Sequence, residues 1–224
     1  MDILNFISWI RGNRVVTTVN PAKTLLPVGL RDDRRDDEYL AGAISVEDFA
    51  AQITSGSHYI GELIGGGIVV ALWKESDVEK ALIASLTNLS TGIQWTLPAF
   101  QSTAIGTAAR SFSDGLNNTI AIIAQTTAPA ANTYAAGLAR LHNDGGYNDW
   151  YLPSSWELNM CYNSAAIVNK VLGTESFTGF NNYWSSTELG AANIASAFSF
   201  GNGDATSTNK GGSVYVRAVR THTF

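Results

Sequence analysis

Apolar and polar residues alternate most regularly near the C-terminal end of the chain. ASAFSF (Ala195–Phe200) and SVYVRAV (Ser213–Val219) place the two kinds of side chain on opposite faces, the period of a half-buried β-strand. YWSST (Tyr183–Thr187) precedes them as a third strand, and Gly- and Asn-rich connections separate the three. Further upstream the period lengthens. Tyr134, Leu138 and Leu141 recur at helical spacing and predict a helix that stops at Asp144-Gly145-Gly146. NDWYLPSSWELNMCYNS runs extended into Pro153, offers Ser154 or Ser155 as an N-cap, and continues as a helix carrying Leu158, Cys161 and Tyr162. ELIGGGIVVALW reads as a turn feeding a buried strand over Ile68–Trp73, whereas DVEKALIASLT (Asp77–Thr87) fits either a helix or a further strand. Helices first and antiparallel strands last predict an α+β domain, and no internal repeat is visible.

The opening part of the chain differs. RVVTTVN (Arg14–Asn20) reads as a strand and is followed by PAKTLLPVGL and the charge run RDDRRDDE (Arg31–Glu38). A short helix is expected after Ser45, because Glu47 and Asp48 suit its positive end while Val46, Phe49, Ala50 and Ile53 share a face. SGSH (Ser55–His58) reads as a linker, which gives two parts, 1–54 and 55–224. The first has too little apolar surface to fold alone, so it is expected to pack against copies of itself in a homo-oligomer, a trimer being the expected form.

Composition narrows the function. A net charge of −5, with the basic residues scattered, argues against a nucleic-acid partner. The single Cys161 rules out an internal disulfide framework and any two-cysteine redox or zinc site. MDILNFISWIRGNR does not read as a signal peptide, and Tyr59–Trp73, the longest apolar stretch, is too short to span a bilayer. Folding in a cytoplasm without membrane insertion is therefore expected.

Catalytic signatures are missing. The chain has no HExxH, GxSxG or Walker loop, and its Gly65–Gly67 run precedes a strand rather than opening a helix. His58, His142 and His222 are dispersed and read as surface or capping residues, and Cys161 reads as a small buried hydrophobe. Asp144, Asn148 and Asp149 share a loop (142–149), but Asx-turn chemistry explains them without calcium. Glu157 and Asp149 could pair as carboxylates, yet Glu157 suits the first turn of its helix. No catalytic residue, metal ligand or cofactor is assigned, and the protein is expected not to be an enzyme.

GIQW (Gly92–Trp95), YAAGLARLHNDGGYNDWYLPSSWELN, YWSSTE and the closing YVRAVR occur in an order that resembles C-type-lectin-fold domains. The resemblance is to the target proteins of diversity-generating retroelements, found in phages and their bacterial hosts, and to the related C-terminal domains of collagen-like adhesins. It covers about three-quarters of the chain and implies a C-type-lectin-like domain of two helices packed on antiparallel strands, behind a short β/α attachment segment. Neither a Glu-Pro-Asn nor a Trp-Asn-Asp pattern occurs, so calcium-dependent sugar binding is not implied.

In such target proteins the segment between the last two motifs is mutagenised at template adenines. Randomising the first two bases of codons that end in C never yields Glu, Lys, Gln, Met or Trp, and Leu189–Asn209 contains none of these. The resemblance implies a fixed framework of Trp150, Leu152, Pro153, Trp184, Ala195, Phe200, Gly203, Lys210, Tyr215, Val216 and Arg217. It implies an exposed, changeable, ligand-binding face made of Leu189, Gly190, Ala191, Ala192, Asn193, Ile194, Ser199, Asn202, Asp204, Thr206, Ser207, Thr208, Asn209, Gly211, Gly212, Ser213 and Val214.

The opening segment is similar to the leaders of phage virion proteins. Together the two resemblances imply a tail- or fibre-associated display protein, assembled in the host cytoplasm and carried on the virion. Its expected partners are other virion proteins through residues 1–54 and a host-surface protein or glycan through the variable face. A decoration or capping protein with no host ligand is the alternative. A formylglycine-generating enzyme shares the broad fold, but its chemistry needs paired cysteines.

Overall fold

A computed structural model describes residues 25–27, 43–45, 58–127, 130–174 and 176–224. The chain divides into two compact units, Met1–Ser57 and His58–Phe224. In the first, β1 (Leu25–Pro27) pairs antiparallel with β2 (Ala43–Ser45). The strand expected at 14–20, the charge run at 31–38 and the helix expected after Ser45 lie outside the described residues. The second unit is α+β.

Two sheets share the second unit. β3 (Leu63–Ile64), β4 (Gly67–Glu75), β5 (Val78–Ala84) and β11 (Val219–Thr223) form one sheet in the order β11-β5-β4-β3. β6 (Ser90–Ile93), β7 (Asn182–Glu188), β8 (Ile194–Ser199), β9 (Ala205–Asn209) and β10 (Val214–Val216) form the other, in the order β6-β10-β7-β8-β9. Asp77–Thr87, left open between helix and strand, contributes strand β5. Val69, Ala81 and Ile83 enter one core cluster and Ile68, Leu82 and Ala84 the other, so β4 and β5 are buried on both faces. A strand buried on both faces shows a continuous apolar run, which hides its period. Ser76 and Asp77, both at positive φ, close the hairpin between these strands.

Among the described residues three helices pack against the sheets: α1 (Gly115–Gln125), α2 (Ala135–Leu141) and α3 (Ser155–Leu172). Sequence pattern anticipates α2 and α3 but assigns nothing to α1. The signal for α1 is its cap, since the Asp114 side chain accepts from the Asn117 N–H. Ser154 is the N-cap of α3 and forms a capping box: its Oγ accepts from the Glu157 N–H while Glu157 Oε2 accepts from the Ser154 N–H. α2 stops at Leu141, before the Asp144–Gly146 turn that was expected to end it.

SVYVRAV, expected as one alternating strand, is two. Val214–Val216 lies between β6 and β7, and Val219 onward lies beside β5, so the chain leaves one sheet and enters the other at Arg217–Ala218. Two arginines secure the crossing. Arg217, fully buried, donates to the Ser176 and Leu86 carbonyls, Ser176 Oγ and Asn88 Oδ1, and lies 4.2 Å over the Phe177 ring. Arg220 makes a two-point pair with Asp149 at 2.6 and 2.9 Å and lies over Tyr147. Burial lowers the Arg217 pKa to about 10, which leaves the guanidinium charged at neutral pH.

The capping box yields a direct check. Ser154→Ala is expected to lower stability by about 1 kcal/mol in urea denaturation, whereas Ser154→Asp, which keeps an acceptor, stays close to the parent.

Candidate ligand-binding face

The β8–β9 hairpin lies at the edge of its sheet, with Ala195 opposite Thr208, Ser196 opposite Ser207 and Ala197 opposite Thr206. Ala195, Ala197 and Phe198 are buried, which explains the small residues: β8 packs closely beneath the face. In β9 exposure alternates, with Ala205, Ser207 and Asn209 open and Thr206 and Thr208 half-buried. A short polar edge strand of this kind resists pairing with other strands.

Positions assigned from the resemblance separate by burial. Gly190, Ala191, Asn193, Asn202, Asp204, Ser207, Asn209, Gly211 and Ser213 are exposed. Leu189, Ala192, Ile194, Ser199, Thr206, Thr208 and Gly212 are half-buried. Val214 is the exception. It was expected on the changeable face, yet it is buried because β10 is flanked by strands on both sides and Val214 faces the core. Trp150, Leu152, Pro153, Trp184, Ala195, Phe200, Lys210, Val216 and Arg217 are all buried, and Gly203 and Tyr215 are half-buried.

Gly203 turns the hairpin at φ +79, and a Cβ there would approach the Tyr162 ring to 2.9 Å. Phe200 lies below the turn in an aromatic cluster, with ring centroids 4.6 Å from Tyr183 and 5.2 Å from Phe177. The indole N–H groups of Trp95 and Trp184 donate to the Ser185 and Ile93 carbonyls, both at 2.7 Å. Behind β7 and β8, Ser155 Oγ donates to Ser196 Oγ, and Ser185 Oγ donates to the Ser196 carbonyl. Ser155 of LPSS and Ser185 of YWSS are thus buried links between α3 and the sheet rather than surface decoration.

A buried ion pair brackets the face. Glu188 immediately precedes Leu189, and Lys210 separates Asn209 from Gly211; their side chains pair at 2.7 Å with neither exposed to solvent. Glu188 also accepts from the Ile105 N–H at 2.8 Å and the Gly106 N–H at 2.7 Å, and Arg110 Nε lies 3.5 Å away. Lys210 Nζ donates to the Thr103 carbonyl at 3.0 Å and stands 4.8 Å over the Trp95 ring. Burial alone would raise the Glu188 pKa, but Lys210 and the two backbone N–H groups outweigh it and hold the carboxyl below its usual range. Lys210 was expected as framework. Glu188, its partner, was not assigned, although it is the last residue of YWSSTE.

A second residue missed by sequence reading is Phe180, 93% exposed, with its Cα close to Gly201 at the hairpin tip. The signal available was an aromatic in TGFNN, a segment otherwise suited to a turn. Its exposure gives the face a large apolar group beside small and polar ones. Asp204 is the one charged residue among the positions assigned to the face.

Cys161 is fully buried, and burial pushes its thiol up to about 12. Asp149 is engaged by Arg220. Burial holds His142, set edge-on against Trp150, below the ordinary histidine range despite nearby Asp144. Among the described residues no group of three or more His, Cys, Asp or Glu side chains could hold a metal ion. Among the same residues no helix is long and apolar enough to cross a membrane.

Glu188→Gln replaces a carboxylate surrounded by donors with an amide that must turn its own NH₂ toward them and leaves Lys210 without a counter-ion. Destabilisation of about 3 kcal/mol is expected in urea denaturation. Because the folded-state pKa is depressed, the stabilisation from Glu188 is present above the unfolded carboxylate value near about 4.3 and is lost as pH falls through the lower folded value. The mutant should therefore lose less stability than the parent across that acid range. Phe180→Ala, by contrast, should change stability by no more than about 0.5 kcal/mol.

Comparison with known proteins places these features in a family. The family model described as "Lcl C-terminal domain" matches residues 84–220. No curated protein matches significantly. Among solved structures, a fimbrial protein from Bacteroides ovatus is similar over 62% of this chain, at 16% identity and a TM-score of 0.44. The match spans 35% of that longer chain. Glu188, Lys210 and the hairpin between them all fall inside the matched span, and the chain belongs to the Lcl C-terminal domain family.

Proposed function

We propose that this protein is an adhesive display protein: a C-type-lectin-like domain that holds the Leu189–Ser213 hairpin region outward to bind a protein or glycan on a cell surface. The observation that carries the reading is the separation by burial. Every assigned position from Leu189 to Ser213 is exposed or half-buried, while Glu188, Ala195, Phe200 and Lys210 beneath them are buried. Side chains pointing outward from a rigid frame can change without disturbing the core. The resemblance to collagen-like adhesins and to diversified target proteins supports adhesion, and a phage tail or fibre is the setting we propose for it. The first unit would supply self-association, as a trimer, and attachment to other virion proteins.

Binding rather than catalysis is the proposed activity. A thiol with a pKa near 12, fully buried, offers no nucleophile at neutral pH. Gly, Ala and Ser alone make a weak binding centre, and the exposed aromatic Phe180 supplies an anchor around which small polar groups can form hydrogen bonds.

Sequencing the 3′ end of the gene across a natural population tests this reading. Replacement changes should concentrate in the codons of the exposed and half-buried positions between 189 and 213, with Glu188, Ala195, Phe200, Gly203 and Lys210 fixed. Uniformly low variation, or variation shared equally with the buried positions, would contradict a diversified binding face and favour a virion decoration protein.

A further inference from the structure

A cavity of about 640 Å³ opens on the four-stranded sheet, and none of its lining residues belongs to the variable face. Strand register builds its floor. Leu82 stands opposite Thr221, and the next row on the same face carries Trp73, Lys80 and Thr223. The N-terminal ends of α1 and α3 form the walls, through Leu116 and Met160.

Apolar surface at the mouth is exposed. Trp73 is 37%, Leu116 38% and Met160 41% open. The patch continues past the cavity to Phe112 and Trp156, whose ring centroids are 6.3 Å apart and which are 46% and 60% exposed. A contiguous run of large apolar groups on a soluble domain marks a place where something binds.

Charge selects the occupant. Three carboxylates line the cavity: Asp114, Asp149 and Glu157. Asp149 is matched by Arg220, and Lys80 in the floor row is held by Glu75. Asp114 and Glu157 have no basic partner among the described residues; they accept from the Asn117 N–H and amide, and from the Ser154 N–H and the Tyr151 hydroxyl. Each carboxylate oxygen keeps a free acceptor direction after those bonds. The helix N-termini would favour an anion, but Asp114 and Glu157 already sit at those ends and offset the dipoles.

We propose that this cavity binds a small organic cation, an ammonium group on an apolar or aromatic body, with the ammonium between Asp114 and Glu157 and the body against Trp73, Leu116 and Met160. The volume suits a ligand of that size. Trp73 adds an aromatic wall on which a cation can also rest. The site is independent of the hairpin reading, since its residues lie on other elements.

The test is a titration of the full chain with 2-phenylethylamine and with 2-phenylethanol, its neutral counterpart, followed by the NMR shift of the Trp73 indole N–H. The amine should shift that resonance saturably and bind about tenfold more tightly than the alcohol. Asp114→Asn and Glu157→Gln together keep both caps, because Asn caps helices and Gln completes a capping box. That variant should lose the preference for the amine and still bind the alcohol. Equal binding of amine and alcohol by the parent, tighter binding of 3-phenylpropionate, or no shift at Trp73 would overturn the proposal. Retention of the amine preference in the folded double variant would do the same.

Discussion

The buried pair between Glu188 and Lys210 is the contact on which the rest of the outer surface depends. Two charges removed from water cost several kcal/mol each unless their remaining hydrogen-bonding capacity is met. Here it is met by the Ile105 and Gly106 N–H groups on one side and by the Thr103 carbonyl and the Trp95 ring on the other. Gly106 can present its N–H because it sits at φ +84, a conformation that ordinary residues avoid. The pair therefore joins three separate stretches of chain: the end of β7, the residue after β9 and the 103–106 loop. Loss of either partner strands the other charge in the core, so the two residues are constrained together, whatever lies between them.

That constraint divides the hairpin region into a floor and a face. Small residues of β8 let the strand lie close over the core, Phe200 anchors the turn among aromatic rings, and Gly203 reverses the chain against Tyr162. With the backbone held from below and at both ends, the outward side chains contribute little to stability. The same logic runs through the closing strand pair. Arg217 and Arg220 hold surrounding loops by hydrogen bonds to carbonyls and a carboxylate, so the crossing between sheets is fixed by polar contacts where an apolar strand could have slipped. Fixing the crossing fixes β10 against β7, and with it the frame of the hairpin.

Much of the scaffold was legible from residue pattern because it follows local rules. Ser154 or Ser155, following Pro153, announced a helix start, and the alternation in ASAFSF announced a half-buried strand. What escaped depends on contacts distant in sequence. The apolar run of β5 concealed its period because both faces are covered, and Val214 was placed on the changeable face by the resemblance although the alternation in SVYVRAV groups it with Val216 and Ala218, which are core. SVYVRAV alternates without a break, so nothing local revealed that it serves two sheets. Glu188 resembled any residue at the end of a motif; its role appears only when the Ile105–Gly106 loop and Lys210 are brought to it.

The central claim is that a floor stapled by Glu188 and Lys210 leaves the face free to vary. Thermal denaturation of a panel of chains, each with several of Ala191, Asn193, Asn202, Asp204, Ser207 and Asn209 replaced together, tests it most directly. The account predicts melting temperatures within about 4 °C of the parent, the shift that a change of roughly 1 kcal/mol produces in a domain of this size. Losses across the panel as large as that caused by breaking the buried pair would show that the face is part of the scaffold and contradict the account.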